Sequence, residues 1–88
     1  DILFVEGMEN YVIIHTANSK EVVRNTLKKI AELLPAGVFL QVHRSYIINI
    51  NKIDSIEGNM INIDNTRIPI SKNYRDTVFA ALLDKDKG

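Results

Sequence analysis

The sequence predicts a mainly β domain with one or two short α-helices, and three observations carry that expectation. Runs rich in Val, Ile, Tyr and Thr alternate with Gly, Asn and Ser turn signals along most of the chain. Helical spacing of apolar residues occurs in only two places. The chain has 88 residues, 45% hydrophobic and 25% charged, which suffices for one small core but not for two. A disordered chain would carry fewer apolar residues. Residues 1–88 therefore read as a single domain.

The elements follow in order. Asp1 leads directly into Ile-Leu-Phe-Val, a buried strand, and residues 6–10 turn the chain. A strand with no lead-in predicts a piece of a longer chain that lacks one or more leading strands. Residues 11–17 and 20–24 form a hairpin around Asn18 and Ser19. Thr26 is placed to N-cap a helix in which Leu27, Ile30, Ala31 and Leu34 fall on one face, and Pro35 and Gly37 end it. Residues 38–42 are extended. Residues 52–57, 60–64 and 67–70 alternate apolar and polar side chains around turn signals at Gly58-Asn59 and Asn65-Thr66, a three-stranded meander. Ile53, Ile56, Ile61, Ile63, Ile68 and Ile70 are its expected apolar packing. From Asn73 onward Tyr74, Val78, Ala81 and Leu82 restore helical spacing, and residues 85–88 read as a frayed polar end.

Composition excludes several classes. There is no cysteine, hence no disulfide and no thiolate chemistry, which agrees with a reducing compartment and a cytoplasmic location. No window approaches the roughly 18 apolar residues of a membrane span, and the N-terminus lacks a signal-peptide pattern. The formal net charge is zero, but residues 1–40, 41–75 and 76–88 carry −1, +2 and −1. A local excess of two is a weak field, so contact with a polyanion has to rest on the placement of individual groups.

Two junctions supply such groups. His43-Arg44-Ser45-Tyr46-Ile47-Ile48-Asn49 sets two cation-capable side chains and a hydroxyl on an apolar anchor. Ile68-Pro69-Ile70-Ser71-Lys72-Asn73-Tyr74-Arg75 repeats the arrangement of a buried strand followed by hydroxyl, amine, amide and guanidinium. A guanidinium presents a planar fork that matches guanine O6 and N7 or two phosphate oxygens. On spacing alone Arg44 is equally a surface arginine, His43 a structural histidine and Ser45 a donor to a nearby carbonyl. Ser71 can N-cap the last helix, leaving Lys72, Asn73 and Arg75 exposed around backbone N–H groups that also suit a phosphate. Asn10 and Tyr11 sit in the first turn, where a local backbone bond competes with a base-edge contact. Asn49 reads as a structural polar group.

Catalytic readings find little support. His43 and Ser45 lack the glycine-flanked elbow of a hydrolase nucleophile, no phosphate-binding glycine loop is present, and His15 and His43 show no metal-ligand spacing. No enzyme activity, metal or cofactor is expected.

The residues Asp1-Ile-Leu-Phe-Val-Glu, Asn10-Tyr11-Val12, Thr26-Leu27, Phe39, the His43 to Asn49 block, Ile53, and Ile68-Pro69-Ile70-Ser71 with Tyr74 together resemble the LytTR domain, over nearly the whole chain. The resemblance implies an elongated stack of small antiparallel sheets. It implies sequence-specific binding of double-stranded DNA by a bacterial two-component response regulator that controls transcription, with a phosphorylatable receiver domain upstream. Loops would enter successive major grooves, as a homodimer on paired direct repeats. Family contact positions carry over to Asn10 or Tyr11, to Arg44 and to Lys72. Lysine replaces an arginine often found at that last position, so Lys72 is expected to touch a base or a phosphate. His43, Ser45, Asn73 and Arg75 would position phosphates. The competing reading is a β-rich protein-interaction or sensory module that does not bind DNA.

Overall fold

The computed structural model describes residues 1–87. Five strands form one antiparallel sheet: β1 (Ile2–Gly7), β2 (Val12–Thr16), β3 (Lys20–Val23), β4 (Phe39–His43) and β5 (Tyr46–Asn49), in the order β3-β2-β1-β5-β4. A second antiparallel sheet, β6 (Ser55–Glu57), β7 (Met60–Ile63) and β8 (Thr66–Pro69), lies in chain order. Helix α1 (Leu27–Leu33) joins β3 to β4, a 3₁₀ turn (Ile50–Lys52) follows β5, and a second 3₁₀ turn (Lys72–Tyr74) runs into α2 (Arg75–Lys87). The molecule measures 35 × 26 × 23 Å along its principal axes, so the two sheets stack into the elongated, mainly β form that the sequence predicts.

Alternation along the central strands explains the layering, because successive side chains of a strand point to opposite faces. Val5, Val12 and Ile47 face Leu27 and Ile30 of α1. Phe4, Val42 and Ile48 face the other way, onto Ile61, Ile63, Ile68 and Ile70 of the second sheet and Val78 of α2. The run of consecutive apolar residues at Leu3-Phe4-Val5 and Ile47-Ile48 is what a sheet buried on both faces demands. Asn49 is the buried polar residue of this core: its Nδ2 donates to the Ile2 carbonyl (2.8 Å) and its Oδ1 accepts the Asn51 N–H (2.9 Å), capping the 3₁₀ turn. That is the structural role read from its position.

Several local expectations are corrected. Strand β1 runs on through Glu6 and Gly7, because Gly7 pairs with Val12 and donates its N–H to the Ser45 carbonyl (2.7 Å). The turn is therefore confined to residues 8–11. The last hairpin turns at Asp64-Asn65 and not at Asn65-Thr66: both residues take positive φ (48° and 64°), which Asp and Asn tolerate and a β-branched threonine does not. Ile56 sits on the edge strand β6 and remains 37% exposed, so it contributes little packing. Ser71 precedes the 3₁₀ turn in extended conformation but makes no side-chain cap; its carbonyl accepts the Tyr74 N–H instead (3.0 Å). Helix α2 extends to Lys87 where a frayed end was expected, and Gly88 lies outside the described residues. Thr26 does cap α1, its Oγ1 accepting the Lys29 N–H at 3.2 Å.

Candidate nucleic-acid interface

Strand register brings the three singled-out junctions to one end of the five-stranded sheet. Glu6 pairs with Tyr46 and His43 pairs with Tyr46, so β1 and β4 end where β5 begins. The β1–β2 loop (residues 8–11) and the β4–β5 turn (Arg44, Ser45) consequently leave the sheet side by side. The Gly7 to Ser45 bond fastens the first pair, and the Met8 N–H closes its own loop on the Tyr11 carbonyl (2.8 Å). On the far side of β4, the Ser71 N–H donates to the Val42 carbonyl (2.9 Å), which docks the start of the last 3₁₀ turn against the same end. The three junctions form a row.

Within that row His43, Arg44, Ser71, Lys72, Asn73 and Tyr74 line one open cleft of about 560 Å³. Arg44 also borders a neighbouring cleft of about 500 Å³ with Lys28 and Gln41. Arg44, Lys72 and Asn73 are exposed. Among the described residues neither the Arg44 nor the Lys72 side chain has a hydrogen-bond or ion-pair partner. Two free cations on a short, braced edge can meet an anion without first breaking an internal salt bridge. Arg75 is exposed as the first residue of α2 but lies outside the cleft, and Asn10 and Tyr11 are exposed in the adjoining loop, also outside it.

The turn that carries Arg44 is held on both sides. The His43 Nδ1 accepts the Ser45 N–H (3.0 Å), and Gln41 Nε2 donates to the His43 carbonyl (3.2 Å). A ring nitrogen that accepts bears no hydrogen, so in this geometry His43 carries its N–H on Nε2 and can donate it outward. Ser45 serves through its backbone, giving its N–H to His43 and its carbonyl to Gly7.

A second network beside the turn was not visible in the sequence. The Glu6 carboxylate accepts from His15 Nε2 (3.2 Å) and from the Tyr46 hydroxyl (3.4 Å). Burial, then the Glu6 charge, then this hydrogen bond raise the Tyr46 phenol above its ordinary pKa. Residues 6, 15 and 46 share no motif; only the register of β1 with β2 and β5 makes them neighbours. Tyr74 reads as helix packing by its spacing, yet it lines both clefts.

Comparison with known proteins agrees with this architecture. The chain is 32% identical over 80 residues to the sensory transduction protein LytT of Bacillus anthracis, covering 84% of this chain and 32% of that one. It is 32% identical over 57 residues to the transcriptional regulatory protein YpdB of Escherichia coli K12, covering 65% and 23%. The chain thus spans about a third or less of the length of these curated relatives. A solved structure from Bacillus cereus described as a LytTr DNA-binding domain superposes with a TM-score of 0.85 at 24% identity, over 92% of this chain and 80% of that one, a likeness of fold. The family model of the LytTr DNA-binding domain matches residues 1–83, and the chain belongs to that family.

Proposed function

We propose that this domain binds double-stranded DNA in a sequence-specific manner as the output module of a two-component response regulator that controls transcription. The observation that carries the reading is the convergence of three exposed junctions at one sheet end, with Arg44 and Lys72 unpaired in one cleft. Arg44 reads a base through its fork, with Asn10 or Tyr11 adding a second contact from the adjoining loop. Lys72 meets a base or a phosphate. His43 offers its Nε2–H to a phosphate, while Ser45, Asn73 and Arg75 help to fix the register on the backbone. Loops entering successive major grooves belong to this reading. Paired direct repeats bound by a homodimer and a receiver domain upstream complete the reading. The domain carries out no chemistry on the DNA.

Selection from a random duplex library, followed by titration of variants, tests it. Arg44→Ala is expected to cost about 1–3 kcal/mol and to relax preference at one base pair, whereas Lys72→Ala weakens all sequences and flattens the salt slope by about one unit. Unchanged affinity and preference in Arg44→Ala sink the base-reading role. An interaction module is favoured by one feature, the edge strand β3 with Val22 66% exposed. Selection that enriches no motif, together with self-association in the absence of DNA, is the outcome that supports this alternative.

A further inference from the structure

We infer that Tyr46 and Glu6 are positioning residues for Arg44, aiming a side chain that reads DNA without touching DNA themselves. The inference rests on the reading of Arg44 as a base contact.

Four rings cross four adjacent strands on one face of the sheet, in the spatial order His15 (β2), Phe4 (β1), Tyr46 (β5) and His43 (β4). Phe4 stacks on His15 with centroids 4.1 Å apart and planes at 16°. Tyr46 tilts against Phe4 at 6.4 Å and meets His43 edge-on at 5.6 Å. The edge-on contact with His43 is an arrangement that ring quadrupoles favour. Glu6 ties the row together, one carboxylate oxygen on His15 and the other on the Tyr46 hydroxyl. Neither Glu6 nor Tyr46 lines the cleft that holds Arg44.

The row ends on the Arg44 turn. His43, oriented by the Tyr46 ring, uses Nδ1 to hold the Ser45 N–H; Gln41 holds the His43 carbonyl, and Gly7 holds the Ser45 carbonyl. The backbone on both sides of Arg44 is thereby pinned, and the one pin made by a rotatable ring depends on Tyr46. Bidentate recognition tolerates an angular error of only about 10–20°. Loss of the Tyr46 ring frees His43 to rotate, releases the Ser45 N–H and lets the fork wander beyond that range.

The test measures discrimination, the ratio of Kd values for a selected duplex and for the same duplex changed at the Arg44-sensitive base pair, by fluorescence anisotropy at one salt concentration. Arg44→Ala is expected to lower this ratio about tenfold or more. Tyr46→Leu is expected to lower it at the same base pair by a comparable factor, and to add no further loss when combined with Arg44→Ala. Tyr46→Phe, which keeps the ring but breaks the bond to Glu6, is expected to lower the ratio less than Tyr46→Leu and to match Glu6→Ala. A Tyr46→Leu variant that weakens both duplexes equally, or whose loss adds in full to that of Arg44→Ala, overturns the inference while leaving Arg44 as the reader. If Tyr46→Leu melts before the titration, Glu6→Ala gives the same measurement from the rim, and full discrimination there overturns the inference. Removing that carboxylate strengthens attraction to any duplex, but the effect cancels in the ratio. An Arg44→Ala variant with unaltered discrimination at every base pair overturns both the base-reading role and this inference.

Discussion

Gly7 is the clearest place to test whether packing or turn chemistry governs this end of the molecule. A Cβ added at Gly7 would lie 3.1 Å from the Leu27 Cβ and 3.3 Å from its Cδ2. The Cδ atom can swing aside, but the Leu27 Cβ is fixed to α1, so the helix itself has to move. Leu27 is 8% exposed and anchors α1 on the sheet, leaving it little room. Such overpacking costs typically 1–3 kcal/mol. Against it stands the ~0.4–1 kcal/mol that a Gly-to-Ala change gains by restricting the unfolded chain, available here because Gly7 is not among the residues with positive φ. The larger effect wins, and Gly7→Ala should lose about 1–2 kcal/mol, a fall of roughly 4–16 °C in Tm for a domain of this size. Urea and thermal unfolding followed by circular dichroism measure it. In a Leu27→Gly background the Cβ and Cδ contacts both vanish, so the penalty of Gly7→Ala should shrink by at least half. Equal penalties in both backgrounds would refute the packing argument and return Gly7 to the role of a turn residue. Since the Gly7 N–H also holds the Ser45 carbonyl, the single variant should lose DNA discrimination together with stability.

Two further outcomes follow from polar side chains hydrogen-bonded within the fold. Asn49→Ala strands the Ile2 carbonyl and the Asn51 N–H, and a loss of about 1–3 kcal/mol is expected in urea titration; a loss below about 0.5 kcal/mol would mean that water replaces both bonds. For Tyr46 the folded-state phenol holds its proton more tightly than the unfolded one, whose ordinary pKa is 10.0. Its contribution is therefore complete below that pH and is lost as pH rises through the folded-state value, because the unfolded chain ionises first. Tyr46→Phe should show a shallower decline in stability above pH 10 than the parent, and parallel alkaline profiles would exclude Glu6 and burial as the cause.

The mainly β class, the cap at Thr26 and most strand positions were legible in the sequence, because each depends on local chemistry: β-branched runs, a hydroxyl before an apolar face, and turn residues between. The junctions bearing Arg44 and Lys72 were legible for the same reason, since each is a polar tip directly joined to an apolar strand. Where local signals competed, the chain could not arbitrate. Asn65-Thr66 and Asp64-Asn65 both look like turns, and the pairing of Ile63 with Thr66 decides between them. Ser71 looks like a cap, but its N–H is engaged by Val42 across the chain and the 3₁₀ turn closes on its carbonyl.

Most strands, the cap of α1 and the cations at strand ends could be read from local chemistry, though not the exact bounds of the first and last hairpin turns. The amino-acid sequence by itself also determined that both faces of the central strands are buried, through consecutive apolar residues at Leu3-Phe4-Val5 and Ile47-Ile48. The insertion of β1 between β2 and β5 emerges from long-range packing. That single placement sets Gly7 beside Ser45 and Glu6 between His15 and Tyr46, and it gathers junctions more than thirty residues apart into one row. The physical reason is that non-local strand pairing is selected by the fit of whole buried faces, in which no short segment of sequence holds more than its own half.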